Sequence, residues 1–536
     1  MKKYISLLTV VLLLLFSSCN NDLTEVVYSD ITEQSFVWTP KDALSAIGAV
    51  YSELRGFHGF NEYQALAITA DDIVYPANAS GWSDGGKFLR MHQHNWNSEQ
   101  DHLSSIWFLF YRGALNANRI INQFEAGTIP PPEGSTKEAI IAEMRAARAY
   151  YYWYLCDNFG DVPLIVGEVE STKPAKTPRA EVFKFIVEEL KATIPNLSED
   201  NSKKMYGRFN KWAAKTLLAN VYLNAEVYSG QAKWNECITE CNDIITSGKF
   251  ILEADYSNPF KVRNENSAEI IFAIPFDQIN AGGFYMHHSS LHASSKATFG
   301  LKTTPWGAGS FKAVTQFLDV YDKDDLRLPK TWLMGPQYAM DRVTPLLGAY
   351  DKQGEPLVYT REIKDGVYTP ENEGYRWGKF EYEKGADFNL NNDWPVFRYA
   401  QVLLMKAECL LRTGQKDQAA QLVTQVRMRD FTDPAKANVT GDNLMGNTRI
   451  QYGYWENYKV VDPGNTTPVQ YGRFLDELGA EFATEQYRRR DLIRFGIFTK
   501  KSWLSHKPNG DYRTVFPIPL IAINANDNLI QNPSYQ

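Results

Sequence analysis

Apolar residues recur at steps of three and four along much of the chain, the period of a helix with one buried face. Over residues 42–54 the stripe is Ala43, Ile47, Val50 and Leu54. Residues 103–124 carry Ile106, Leu109, Phe110, Leu115 and Ile120, and residues 137–156 carry Ile140, Ile141, Met144, Ala147 and Tyr151. A further helix is predicted over 180–190, with Pro195 closing that segment. Two more, over 212–228 and 234–245, meet at a Ser229-Gly230 turn. The clearest pair spans Val396 to Arg429. Ala400, Leu403, Leu404, Ala407 and Leu411 form one stripe, and Gly414 stops the helix as glycine does just past a helix end. Asp417 restarts it, with Ala419, Leu422, Val423 and Val426 on the facing side.

Small Ala407, Gly414 and Ala419 or Ala420 stand where tetratricopeptide-like hairpins need close backbone approach and a tight turn. No strict period of about 34 residues runs through the chain. The helix pairs are therefore expected to be separated by insertions. Residues 72–102, 252–310, 327–394 and 431–473 show no helical period, and loops this long are usually functional or disordered. They hold Trp82, Trp96, Trp306, Trp332, Trp377 and Trp455, a composition foreign to disorder. Ordered loops on a helical base are predicted, the place where binding residues gather. The expected fold class is mainly α: helix hairpins with long irregular loops carrying a few short strands. Residues 41–250 and 251–536 are read as two regions of one globular unit.

Composition adds exclusions. The 536 residues are 44% hydrophobic and 22% charged, as in ordinary folded proteins. A net charge of −7 without a basic block argues against nucleic acid, whose phosphates need clustered Lys and Arg. The one continuous apolar stretch, Tyr4 to Phe16, is too short to span a bilayer comfortably. Behind Lys2 and Lys3 it reads as a secretory signal over residues 1–18. Ser17 and Ser18 lead into Cys19, which resembles a bacterial lipobox and implies that Cys19 is acylated. More than one acyl chain would tether the protein stably to a membrane, through a linker over 19–40. Asn20 and the mildly acidic run after it suggest the outer membrane and display at the cell exterior. Cys156, Cys237, Cys241 and Cys409 are too sparse for a disulfide scaffold. Cys237 and Cys241, one helical turn apart, are too widely spaced for a relaxed bridge. All four read as buried small hydrophobes.

Three C-terminal segments together resemble the SusD/RagB family of outer-membrane glycan-binding lipoproteins. The first is Trp394 to Glu408, with Arg398-Tyr399-Ala400-Gln401 close to the family's RYAE-type helix. The second runs from Leu475-Asp476-Glu477-Leu478 through Glu485-Gln486-Tyr487-Arg488-Arg489-Arg490-Asp491-Leu492-Ile493-Arg494. There Leu478 and Gly479 depart from the family's usual acidic start, and Gln486 replaces a common glycine. The third joins Phe516-Pro517-Ile518-Pro519 to the closing Asn532-Pro533-Ser534-Tyr535. Lys41 to Leu44, Ala70-Asp71-Asp72 and the Trp107, Tyr111, Asn116 to Asn118 set agree more loosely. Physically these motifs look structural, since Glu485, Arg488, Asp491 and Arg494 repeat at three-residue steps and can pair across neighbouring turns. The Asn-Pro ending reads as a turn that pins the C-terminus.

The resemblance implies non-covalent glycan binding without catalysis, and delivery to a SusC-like TonB-dependent transporter. Ring faces of Trp and Tyr suit flat sugar surfaces at small entropic cost. The family's aromatic arc falls here on residues 75–96 and 282–306. The expected ring contacts are Trp82, Trp96, Tyr285 and Trp306, with Asp72, Asn95 and Arg376 as hydrogen-bonding partners. Competing readings are an all-α glycoside hydrolase, or a transporter lid that takes peptide or nothing. Asp71 and Asp72 could be paired catalytic carboxylates, but sequence neighbours rarely reach the spacing of ~5–9.5 Å that a glycosidase needs. His92, His94 and His102, and His287, His288 and His292, lack the spacing of a zinc motif and read as polar loop residues. Asp322-Lys323-Asp324-Asp325 resembles half a calcium loop without its glycine and terminal glutamate. Incidental calcium is the most it allows, and Asp325 with Arg327 reads as a structural pair. No cofactor is expected.

Overall fold

The computed structural model describes residues 36–59, 61–167 and 172–535. The predicted signal, Cys19 and most of the linker lie outside them. From Pro40 onward the chain clusters as one unit.

The long helices pack in series. α1 (Pro40–His58) lies on α2 (Asp101–Glu125), α2 on α3 (Lys137–Phe159) and α3 on α4 (Arg179–Thr193). Next come α5 (Lys211–Leu223) and α6 (Trp234–Thr246), and α6 meets α7 (Tyr399–Arg412) across the long 247–398 insertion. α7 then turns back into α8 (Lys416–Arg427), with Gly414 at φ 81° in the turn as expected. The stripes read from the sequence face inward at Ala43, Ile47, Val50, Ile106, Ile140, Leu403 and Val423, all buried, whereas Leu115 is 37% exposed and lies off the buried face. Side chains close the helix starts, as where Asn210 accepts from the backbone N–H of Trp212 and Ala213. The α2–α3 crossing depends on Gly113: a Cβ there would sit 2.2 Å from the Tyr151 ring. Among the described residues no helix is long and apolar enough to cross a membrane. All four described cysteines are free and buried.

The structure corrects three predicted segments. The helix predicted over 212–228 breaks at Asn224 into α5 and a second short helix, Ala225–Ser229. Val396 to Arg398 are strand, because Trp394–Arg398 pairs antiparallel with Ile270–Ile274 and every residue of both is buried. Periodicity cannot separate a fully buried strand from the start of a helix. The motif at 475–494 forms two helices, α9 (Gly472–Phe482) and α10 (Arg488–Arg494). Thr484 and Gln486, at φ 67° and 69°, interrupt it.

The charged motif residues form a buried ionic core. Arg398 is fully buried and bonds Glu269 at 2.8 Å, Glu481 at 2.7 Å and Glu485 at 2.8 Å. Arg327 pairs with Asp325 at 2.7 Å, as the sequence suggested, and with Glu477 at 3.0 Å. Lys379 and Arg429 approach the same glutamates. Arg494 clamps Glu408 with two bonds of 2.7 Å and Asp491 with another, tying α10 to α7. At the C-terminus, the Asn532 side-chain amide donates to the carbonyls of Phe159 and Phe516 at 2.8 Å, so the Asn-Pro turn does pin the chain end.

A small sheet positions the loops. Ile73–Val74 pairs antiparallel with Lys312–Ala313, which pairs through Lys312 with Arg376, and Arg376–Trp377 pairs with Trp332–Leu333. Strands only two residues long hold because both faces are covered. Ile73, Val74, Ala313 and Trp377 are buried. The register fixes Ile73 opposite Ala313, so the segment after residue 74 must run beside the segment before residue 312.

Candidate functional site

Those two segments are the loops expected to carry ring contacts, and they meet. The Asn78 side-chain amide donates to the Ser310 hydroxyl, and the Ser80 hydroxyl donates to Asn78 Oδ1 at 2.6 Å. Gly307 crosses Ser80 so closely that a Cβ would fall 2.4 Å from its Oγ. Between the loops lies a cavity of about 310 Å³ whose rim carries Trp82 and Trp306. Trp82 keeps 37% and Trp306 42% of its surface exposed. Tyr75 and Phe88 back the first loop as a stacked pair with centroids 4.4 Å apart, and Trp82 leans on Tyr75 at 4.8 Å.

Behind Trp306 the aromatic surface continues. Tyr285 lies 6.1 Å from Trp306 and 4.8 Å from Phe388, and Phe388 is 39% exposed. Phe388, Tyr75 and Phe88 were not singled out by the sequence reading. Phe388 sits in a Gly-Ala-Asp-Phe-Asn stretch whose only signal is an aromatic in a polar loop. Polar groups complete the cavity: Asp84, Lys87, Asp101, Ser289 and Ser310 also line it. Lys87 is paired with Asp101, and partial burial raises the Asp84 carboxyl above its ordinary value. Exposed ring faces beside hydroxyls, an amide and carboxylates can stack on and hydrogen-bond a polyol.

Four expected contacts lie elsewhere. Trp96 is 1% exposed; its indole N–H donates to the Tyr535 hydroxyl at 2.7 Å, and Arg513 holds its carbonyl. It fastens the C-terminus and presents no face to solvent. Asn95, next to it, is exposed but accepts from Asn509 at 2.8 Å. Asp72 is buried against the Thr484 backbone N–H at 3.1 Å, and burial beside Asp71 pushes its carboxyl up to about 7. Asp71 itself is clamped by Arg488 at 2.6 and 2.9 Å, so the pair serves structure. Arg376 is fully buried. It donates to the Glu371 carbonyl at 2.7 Å and the Glu373 carbonyl at 2.6 Å, and lies over the Tyr359 ring at 4.5 Å.

All eight histidines are buried, which corrects the reading of His92, His94, His102, His287, His288 and His292 as polar loop residues. His94 packs against His506 at 3.9 Å, and His287 against His288 at 4.1 Å. Burial lowers the pKa of each ring. Asp322 bonds Arg427 and Arg449, while Asp324 bonds Lys436. Basic partners therefore occupy these carboxylates. Among the described residues no group of three or more His, Cys, Asp or Glu is arranged to hold a metal ion.

Fold and site together define a helical-hairpin protein with a solvent-facing aromatic surface beside a polar-lined cavity. The SusD family model matches residues 268–535, and a family described as starch-binding associating with outer membrane matches residues 55–223. The chain is 22% identical to SusD-like protein P25 of Formosa agariphila, covering 97% of this chain and 96% of that protein. It is 25% identical to the starch-binding protein SusD of Bacteroides thetaiotaomicron, over 74% of this chain and 72% of that one. Among solved structures it superposes on surface glycan-binding protein A of B. thetaiotaomicron in complex with laminarihexaose. The TM-score is 0.68 at 18% identity, covering 92% of this chain and 99% of that one. The chain belongs to the SusD family, whose members are non-catalytic glycan-binding proteins associated with the outer membrane.

Proposed function

We propose that this protein, tethered through acylated Cys19 to the outside of the outer membrane, captures oligosaccharide non-covalently. It then hands the glycan to a SusC-like TonB-dependent transporter. The observation that carries the reading is the convergence of two exposed indoles, Trp82 and Trp306, on one cavity with a polar rim. A pyranose presents flat C–H faces ringed by hydroxyls, and aromatic faces bordered by hydrogen-bonding groups complement it. Tyr285 extends the surface beyond the cavity. Co-display with a transporter raises effective concentration, so modest intrinsic affinity suffices.

The test is calorimetry with maltohexaose and laminarihexaose, glucans suggested by the names of the relatives, followed by a wider glycan panel. Trp82→Ala and Trp306→Ala should each weaken binding roughly fivefold or more, because stacking on an aromatic face is typically worth about 1–3 kcal/mol. Unchanged affinity in both variants would overturn the assignment of this surface, and release of reducing ends would point to the hydrolase. Loss of membrane retention in Cys19→Ala cells tests the tether. Copurification of the wild-type protein with an outer-membrane barrel tests the partner.

A further inference from the structure

His288 lies at the centre of the ring surface rather than on it. Its imidazole is buried and stacks on Phe388, with centroids 4.8 Å apart and planes at 22°, and on Trp306 at 5.4 Å and 27°. Its backbone does the same work. The His288 carbonyl accepts from the Trp306 N–H at 2.7 Å, and its own N–H donates to the Tyr285 carbonyl at 3.1 Å. One residue thus contacts all three members of the outer aromatic surface, two of them through its ring.

We propose that His288 is a positioning residue for glycan capture: its flat ring is the floor that sets the faces of Trp306 and Phe388 as one continuous surface. The proposal rests on the functional reading above, and it names the group on which that surface depends. Two consequences follow from the chemistry. Removing the ring takes away the one partner stacked near-parallel on both Trp306 and Phe388 and leaves only their tilted or edge contacts with Tyr285 and with each other, so their faces are free to tilt. Charging the ring places a cation in a buried position between two π-systems, which has a desolvation cost that the stack cannot fully offset. Burial already keeps the imidazole less basic than an ordinary histidine. The titratable groups facing it are the His287 ring at 4.1 Å, itself held uncharged by burial, and Asp387, which favours the charged form. The Thr303 hydroxyl lies 3.4 Å from Nε2. The surface is therefore expected to stay intact at neutral pH and to loosen only in acid.

The experiment uses the folded mature protein labelled with 5-fluorotryptophan, with Trp306→Phe identifying the Trp306 fluorine resonance. It compares the wild type with His288→Ala and His288→Phe, over the pH range in which far-UV circular dichroism is constant. In the wild type the Trp306 line should be sharp at neutral pH and broaden or shift below the ordinary histidine range. His288→Phe should keep the sharp line and abolish the acid change. His288→Ala should broaden it at every pH and weaken whichever of laminarihexaose or maltohexaose the wild type binds by roughly tenfold, the value of two lost ring stacks. Wild-type line shape and affinity in His288→Ala overturn the proposal, as does an acid change that persists in His288→Phe. If no glycan binds the wild type, the functional reading fails, while the Trp306 resonance still decides whether His288 positions the surface.

Discussion

Replacing Arg398 by methionine should cost about 3–4 kcal/mol at pH 7 and far less in acid. Arg398 is fully buried and serves Glu269, Glu481 and Glu485. Arg429 and Lys379 also reach these carboxylates, but Arg327 is shared with Asp325 and Glu477. Methionine fills similar volume, so the change is chiefly the loss of one buried positive charge. The cheapest response is for one glutamate to take up a proton. Holding a carboxyl of ordinary pKa ~4.3 neutral at pH 7 requires about 3.7 kcal/mol, at 1.36 kcal/mol per unit, and about 1 kcal/mol at pH 5. The first figure agrees with the loss of about 3–5 kcal/mol seen when one partner of a buried pair is removed. The sign follows from linkage. In the variant the folded state binds the extra proton, so the variant's stability relative to wild type falls as pH rises above about 4.3. Urea midpoints followed by circular dichroism at pH 5, 6, 7 and 8 would show the gap to wild type widening with pH. Adding Glu485→Gln should recover most of the gap at pH 7, because it removes a matching negative charge. A gap independent of pH, or a double variant no better than the single, would refute the charge-balance argument.

Acid should weaken the wild type itself. Each of the eight histidines has a folded-state pKa below its unfolded value, so the stability tied to their neutrality is complete above about pH 6.5 and falls as pH drops. At pH 5 a histidine kept neutral costs about 2 kcal/mol; a urea midpoint flat from pH 7 to 5 would contradict this. Gly113→Ala should destabilise by about 1–3 kcal/mol through overpacking, since the Tyr151 ring is also held by its hydroxyl on the Val50 carbonyl; a thermal midpoint equal to wild type would show that the crossing can relax. Trp96→Phe should lower stability by about 1 kcal/mol through loss of the indole hydrogen bond to the Tyr535 hydroxyl, which keeps its own bond to the Val515 carbonyl, yet leave glycan affinity unchanged in calorimetry; a loss of affinity would return Trp96 to the ligand surface.

The helices were legible because burial on one face leaves a local trace. Ile106, Leu109 and Phe110 reveal their face without reference to any distant residue. The ionic motifs were legible as structure because Glu485, Arg488, Asp491 and Arg494 must find opposite charges once buried, although spacing alone did not show that Arg494 would reach Glu408. The site is different in kind. Trp82 and Trp96 fall in one segment without helical period, fourteen residues apart, and composition treats them alike. Only the pairing of Ile73 with Ala313 turns the first toward Trp306, while the Tyr535 hydroxyl draws the second inside. Arg376 shows the same limit, because a guanidinium beside a tryptophan suits a sugar site as well as it suits the backbone carbonyls of Ala308, Glu371, Glu373 and Gly374. Exposure of an aromatic in a long loop is set by which distant segment covers it, and two-residue strands leave no periodic signal to announce that cover. Phe388 and His288 join the ring surface by the same long-range route. A loop surface of this kind is read from register and packing, and the sequence supplies only the stock of rings from which it is assembled.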